Sequence, residues 1–326
     1  MISRILIAAA GLLLVSACGR QSVAVPATNA PTQITVSGLS SGGYMAGQLH
    51  LAHSDVISGV GILAAGPYRC SQGNLLRALG ACVTGEGLDA TDSVTAARQA
   101  AADGGIADPG NLADDRVWLY HGSNDTVVNV RVTDVASETY AQLGVDPTAI
   151  VRVTDVPSAH GFPAQQASAP CGEMRSPFVN DCGYDGAGEL LQFLTDQSTD
   201  VADTATGVLE TFEQQAPEGS GFAAQGFIYR PAQCVGASCG LHIVLHGCGQ
   251  GASYVGDAVA QTAGYNRWAD ALDLVIIYPQ IAPNAVSNPL GCWDWWGYTG
   301  AAFATRDGIQ VQTLRAIIER YEQAAL

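Results

Sequence analysis

The sequence predicts an α/β fold, a mostly parallel central sheet with helices on both faces. Two observations carry this. Short apolar, β-branched runs alternate with helix-compatible stretches along the whole chain. The composition, 48% hydrophobic and 13% charged over 326 residues, suits a chain that buries a large core.

Taken in order, Gln33-Ile34-Thr35-Val36-Ser37 is the first strand run, followed at once by Gly38-Leu39-Ser40-Ser41-Gly42-Gly43. Tyr44 to His53 reads as a helix, and Val56 to Ala65 as a second strand. Val117 to Tyr120 is a third strand, ending in His121-Gly122-Ser123-Asn124-Asp125. Ile150 to Val153 is a fourth, leading to Ala159-His160-Gly161. A helical stretch covers Ala187 to Leu194. In the second half, Gly226 to Tyr229 and Leu241 to Leu245 are strands, the latter ending in His246-Gly247. A helix over Ala258 to Ala269 precedes a strand over Leu272 to Tyr278. The chain closes on a helix, Ile309 to Tyr321, whose Ile309, Val311, Leu314, Ile317 and Ile318 lie near helical spacing. No internal repeat and no interior linker interrupts the pattern, so residues 33–326 are expected to form one catalytic domain.

The start of the chain reads differently. Arg4, an apolar run from Ile5 to Val15, and Ser16-Ala17 before Cys18 have the form of an export signal over residues 1–17. The run is too short for a membrane span. Val15-Ser16-Ala17-Cys18 resembles a bacterial lipobox, which would leave Cys18 as a lipid-bearing N-terminus. The polar, Ala/Pro-rich residues up to Thr32 make 18–32 a flexible tether. The expected location is therefore extracellular or tethered to the outer membrane.

All 14 basic residues are arginine, against 30 acidic ones, for a formal charge of −16. Without lysine there can be no pyridoxal Schiff base, no Ser-Lys dyad and no P-loop lysine. The acidity argues against nucleic-acid binding. G-x-G-x-x-G fails at Ala252, and neither C-x2-C nor H-E-x-x-H occurs, so no cofactor and no metal are expected. The nine cysteines less Cys18 leave eight, which suggests four disulfides in an oxidising compartment. Nearness in the chain pairs Cys70 with Cys82, Cys171 with Cys182 and Cys234 with Cys239. Elimination leaves Cys248 with Cys292.

The strongest functional signal is Gly38-Leu39-Ser40-Ser41-Gly42. It fits G-x-S-x-G between a strand and a helix, the context the motif requires. The glycine register selects Ser40 over Ser41. Serine needs a base oriented by a carboxylate. His160 follows a strand end, and Asp125 ends the strand before it. Asp155 is the competing acid, but it lies too near His160 to come from its own strand end. Ser40, Asp125, His160 is the chain order of the α/β-hydrolase fold. His50 and His53, on the helix after the serine, read as exposed polar residues, and His242 as structural. His246-Gly247-Cys248-Gly249 ends an apolar strand, as does the loop that gives this fold its second oxyanion donor. The donors would be the amides of Ser41 and Cys248. That loop ordinarily precedes the serine, whereas here it follows about 200 residues later. Moving residues 205–326 ahead of Thr32 restores the usual order, so the chain reads as a circularly permuted α/β-hydrolase.

The permuted order is accompanied by Ser37-Gly38-Leu39-Ser40-Ser41-Gly42-Gly43-Tyr44-Met45, His246-Gly247-Cys248-Gly249-Gln250 and Gly291-Cys292-Trp293-Asp294-Trp295-Trp296-Gly297-Tyr298. Together they resemble the single-domain poly(3-hydroxybutyrate) depolymerases, over residues 33–326. The resemblance implies a serine esterase with Ser40 as nucleophile, Asp125 and His160 as its partners, and an oxyanion hole from the Ser41 and Cys248 amides. It also implies a polyester substrate lying in a crevice lined by apolar and aromatic groups. Trp293, Trp295, Trp296 and Tyr298 are the candidate substrate contacts. An extended backbone would put Trp293 and Trp295 on one side and Trp296 on the other. The chain departs from the family in its lipobox-like Cys18. No separate polymer-binding domain is expected, and the chain is expected to act as a monomer. Two rival readings are a feruloyl or acetyl-xylan carboxylesterase of the same fold and a non-catalytic, lipid-tethered surface-binding protein.

Overall fold

The protein is described by a computed structural model covering residues 32–235 and 237–324. The expected export signal, Cys18 and nearly all of the tether lie outside the described residues. The first half runs β1 (Ile34–Leu39), α1 (Ser41–Ala52), β2 (Gly59–Leu63), α2 (Leu75–Leu79), α3 (Ala81–Thr84), α4 (Ala90–Ala102), β3 (Arg116–Tyr120), α5 (Val130–Leu143) and β4 (Ile150–Val153). An excursion follows, with β5 (Phe162–Ala164), β6 (Ala169–Pro170) and β7 (Val179–Asp181), before α6 (Gly186–Thr195). The second half runs β8 (Val208–Glu213), β9 (Gln225–Arg230), β10 (Gly240–Leu245), α7 (Ala252–Val255), α8 (Ala258–Thr262), α9 (Tyr265–Leu272), β11 (Leu274–Tyr278) and α10 (Ile309–Ala324).

One sheet takes strands from both halves in the order β4-β3-β2-β1-β10-β11-β9-β8. Pairs from β4 to β11 are parallel, while β9 is antiparallel to both of its neighbours. β1 is central, with β2 on one edge and β10 on the other. Burial on both faces explains the near-continuous apolar runs. Side chains alternate between the faces: Val117 and Leu119 join one core, Trp118 and Tyr120 the other. The first core includes residues of α1, α4, α5 and α10, and the second residues of α6 and α9. The mostly parallel α/β architecture expected from the sequence is present.

Three local features depart from the sequence reading. The helix expected over Ala258 to Ala269 is two helices, because Gly264 between them adopts a left-handed φ of 92°. His50 and His53 are buried, not exposed. α1 has no solvent face, since every one of its residues is buried between the sheet and outer helices. His50 is tolerated there because Nε2 contacts Asp115 Oδ2 at 2.9 Å and Nδ1 lies 3.1 Å from the Tyr140 hydroxyl. The third concerns helices with no apolar run to announce them, α4 and α5. Here the buried stripe, such as Val132, Val135, Ala136, Tyr140 and Leu143 in α5, is diluted by polar residues on the open face.

All four disulfides join the cysteines that chain position and elimination paired: Cys70–Cys82, Cys171–Cys182, Cys234–Cys239 and Cys248–Cys292. Such a set is characteristic of exported proteins. Beneath the central strand, the buried His242 sits between Thr35 Oγ1 at 2.7 Å and Ser37 Oγ at 2.8 Å, and Ser37 also meets the Tyr265 hydroxyl at 2.8 Å. Every polar atom of that cluster finds a partner, which removes the penalty of burying it. This bears out the structural reading of His242.

Candidate active site

Ser40 occupies the turn between β1 and α1 with φ 56° and ψ −119°. A serine rarely adopts a left-handed φ, and such a backbone costs about 1–3 kcal/mol. The flanking glycines make the turn possible: a Cβ at Gly38 would overlap the Gly42 carbonyl, and one at Gly42 would overlap the carbonyls of Leu245 and His246. The chain passes within contact of itself and of β10, so neither position has room for a side chain. The Ser40 amide is tied to Leu63 O at 2.8 Å, which anchors the turn to β2. Ser41 turns inward, 1% exposed, with Oγ accepting from the Trp293 amide at 3.4 Å. Ser40, and not Ser41, lines the cavity described below.

The loop after β3 carries Asp125. Its Oδ1 accepts from the amides of Val127 at 2.8 Å and Val128 at 3.0 Å, and its Oδ2 lies 2.7 Å from His160 Nδ1. Burial alone would raise the carboxyl pKa. The hydrogen bond and charge of His160, with the two amides, outweigh it and hold the group below the usual carboxylate range. Asp155 is exposed and makes no such contact. His160 is itself buried, in a segment fixed by Ala159 N–H donating to Cys171 O and Phe162 N–H to Phe178 O, each at 2.8 Å.

Ser40 and His160 line one open cavity of about 770 Å³. Cys248 lines it too, in the loop after β10. On either side of that residue, Gly247 N–H donates to Gln250 Oε1 at 2.7 Å and Gly249 N–H to Leu290 O at 2.7 Å. The Ser41 N–H belongs to the first turn of α1, where amides have no intrahelical acceptor and the helix dipole is positive. Beside them His246 is buried and neutral; burial pushes its pKa down to about 4, against a small rise from Gly247 O. The Cys248–Cys292 bond joins the Cys248 loop to the aromatic loop.

Of the four candidate rings, Trp295 and Trp296 line the cavity and Trp293 and Tyr298 do not. Trp293 is fully buried, edge-on to Phe222, and Tyr298 turns to a neighbouring groove. The alternation expected of an extended segment fails for a physical reason. Asp294, fully buried, accepts from the amides of Gly297 at 2.6 Å, Tyr298 at 2.9 Å and Thr299 at 2.8 Å, and so curls the segment. An Asp followed three residues on by Gly is a turn signal that could have been read from the sequence. Tyr44, stacked on Trp295 with ring centroids 4.6 Å apart, also lines the cavity, as does Phe178. The rim is apolar and exposed at Leu75, Leu79, Met174, Val286 and Leu290. Nothing in the local sequence marks these as surface, since burial there is decided by which loops meet.

No family model matches the chain. It is 36% identical over 327 residues to a poly(3-hydroxybutyrate) depolymerase of Delftia acidovorans, an alignment that covers 96% of this chain and 65% of that relative. It is 35% identical over 327 residues to a polyhydroxybutyrate depolymerase of Talaromyces funiculosus, with 94% of each chain covered. Among solved structures, a PHB depolymerase carrying a serine-to-alanine substitution and complexed with an R3HB trimer matches with a TM-score of 0.87 at 31% identity. The PHB depolymerase from Penicillium funiculosum matches with a TM-score of 0.86 at 30% identity. Each of these two covers 93% of this chain and 100% of its own.

Proposed function

The chain belongs to the polyhydroxybutyrate depolymerase family, and from that premise we propose that it hydrolyses the ester bonds of poly(3-hydroxybutyrate) or a related polyhydroxyalkanoate. The observation that carries the reading is the convergence of Ser40 and an Asp125-paired His160 on one apolar, aromatic-walled cavity. A neutral polyester offers few charges to grip, so apolar contact supplies most of its binding.

Ser40 Oγ attacks the ester carbonyl while His160 Nε2 takes its proton, with Nδ1 held by Asp125. The amides of Ser41 and Cys248 stabilise the oxyanion, and losing one such donor costs about 3–4 kcal/mol in the barrier. His160 then protonates the departing alkoxide. Water, activated by the same imidazole, releases the acid from Ser40 as a monomer or short oligomer. Ser40→Ala should abolish clearing of a polyester suspension with the fold unchanged by circular dichroism; retained clearing sinks the assignment. Release of ferulate or acetate by the wild type, without clearing, would favour the plant-polysaccharide esterase instead.

The remaining expectations join this proposal. Residues 33–326 act as one catalytic unit, and the chain works as a monomer, which sedimentation can check. The chain is a permuted α/β-hydrolase: with β8–β11 and α10 placed ahead of β1, the Cys248 loop follows the third strand, where the fold carries its second oxyanion donor. A variant with joined termini, reopened near Ala205, should stay active if this is right and lose its fold if it is wrong. Residues 1–17 act as an export signal and Cys18 carries lipid, a reading supported by Val15-Ser16-Ala17-Cys18. Mass spectrometry of the mature N-terminal peptide decides it, an unmodified Cys18 being the adverse result.

A further inference from the structure

In the loop after β10 the amides around Cys248 are all engaged. Gly247 N–H donates to Gln250 Oε1 at 2.7 Å, Gly249 N–H to Leu290 O at 2.7 Å and Gln250 N–H to Gly247 O at 3.2 Å. Cys248 N–H, between them, meets no acceptor among the described residues, and Cys248 lines the cavity. Its direction is set by the other end of its own peptide. The Gly247–Cys248 peptide is trans, so its C=O and N–H point opposite ways. Whatever holds Gly247 O therefore also aims Cys248 N–H.

His246 joins the Gln250 amide in holding that oxygen. Ile281 N–H donates to His246 Nε2 at 3.2 Å, so the ring proton lies on Nδ1, which donates to Gly247 O at 2.8 Å. The Gln250 side chain, 3% exposed, adds a longer tie. Its Nε2 donates to Pro177 O and to Phe178 O, each at 3.1 Å. The reversed amide would set its NH2 against Gly247 N–H and its oxygen against two carbonyls, so the orientation is fixed by the backbone. Phe178 O also accepts from Phe162 N–H at 2.8 Å, just past His160 in the chain. One side chain thus spans from the Cys248 loop to the segment that carries the proposed base.

We propose that Gln250 is a positioning residue: it holds the Cys248 amide in register with His160, aimed where negative charge develops as Ser40 attacks. The proposal rests on the oxyanion-hole and triad reading above. Gln250 lines the cavity but acts through Cys248, because both Nε2 protons are spent on carbonyls and none is left for a substrate. Without the side chain the loop and the excursion can drift apart, and a misplacement of this kind costs about 10- to 100-fold. The charge it serves exists only in the transition state, so the loss falls on kcat and leaves KM alone.

The test is steady-state kinetics on a soluble butyrate ester and on its thionoester, in which sulfur replaces the carbonyl oxygen. Sulfur is larger and a weaker acceptor, so aimed amides favour the ester. Gln250→Met keeps the side-chain length and removes its polar atoms. It should lower kcat on the ester about 10- to 100-fold with KM little changed. It should also shrink the ester-to-thionoester rate ratio, because the thionoester gains little from the amide to begin with. If the variant keeps the wild-type kcat and ratio and only lowers Tm, the residue is merely structural and the proposal fails. A lowered kcat with an unchanged ratio would place the damage at His160 and overturn the aim assigned to Cys248. Should Gln250→Met not fold, Gln250→Asn decides: it keeps a neutral amide but is one methylene too short to span the two segments. It should move kcat and the ratio in the same directions, and no movement overturns the proposal. The wild type separates the two claims. A wild-type ratio no larger than that for hydroxide alone would sink the oxyanion reading itself, whereas a strong preference kept by Gln250→Met would sink only the role of Gln250.

Discussion

The turn that holds Ser40 and the excursion that holds His160 reach one cavity by opposite means. Ser40 follows the central strand, with parallel partners on both edges, and backbone atoms set its place. His160 stands in a stretch between β4 and α6 whose strands are two or three residues long. Its place is set by several separate ties: the Ala159 and Phe162 amides, Asp125, Asn180 and the Cys171–Cys182 crosslink. A position defined by backbone contact has nothing to relax and tolerates no added atom. A position defined by several separate ties loses them one at a time. The Ser40 side should therefore fail all at once and the His160 side by degrees.

The sharpest way to break this contrast is Gly42→Ala. The added methyl meets two carbonyls of β10 and its loop, which cannot move without breaking the sheet. The expected loss exceeds about 4 kcal/mol, seen as absent soluble protein or a collapsed Tm; a stable, active variant would refute backbone control of the elbow. Next comes the double change Cys171→Ser, Cys182→Ser. Its 11-residue loop predicts a loss of about 3 kcal/mol. Activity should fall with KM little altered, because the histidine loosens while the cavity walls stay.

Acid should weaken the Ser40 side through two buried histidines. Burial pushes His242 down to about 3 and His246 down to about 4, the latter against a small opposing rise from Gly247 O. Both fold neutral, so their contribution is complete above the unfolded value near 6.5 and is lost as pH falls towards the folded values. Thermal melts should show Tm dropping from pH 6.5 to pH 4.5, and His242→Asn should flatten that slope. The smallest effect is expected from Asn180→Ala on the excursion. It removes the hydrogen bonds to Cys171 O at 2.9 Å and Glu173 O at 3.4 Å, and also a buried Oδ1 with no partner among the described residues. The two changes largely offset, leaving about 1 kcal/mol and a modest activity loss.

The same contrast decides what could be read from the sequence. Ser40 was legible because its constraint is local: two glycines, a strand before and a helix after. Asp125 and His160 stand out in the sequence because each follows a β-rich run, and their side chains meet at 2.7 Å. The eight core strands were found where apolar runs were continuous, except β8, an edge strand whose Val208–Glu213 is mostly exposed and carries no such run. β5, β6 and β7 were missed because short strands of an excursion are held by tertiary contacts, not by propensity. The aromatic loop is visible in the sequence but its curl is not, since one buried carboxylate, Asp294, sets it. The apolar rim and the burial of His50 follow from how distant segments meet, which no local pattern encodes.

The strand order also has a consequence for how the chain is made. β1 is synthesised among the first described residues, yet its partner β10 pairs Leu241 with Ile34, about 200 residues later. Until β10 emerges, one edge of an apolar central strand stays unpaired, a hazard for aggregation. Contacts of such long range make for slow folding. Ser40, Asp125 and His160 are all present in the emerging chain before Cys248 exists, so a nascent chain would carry the proposed nucleophile, base and acid without the second amide. On that proposal, competence arrives with the last third of the polypeptide.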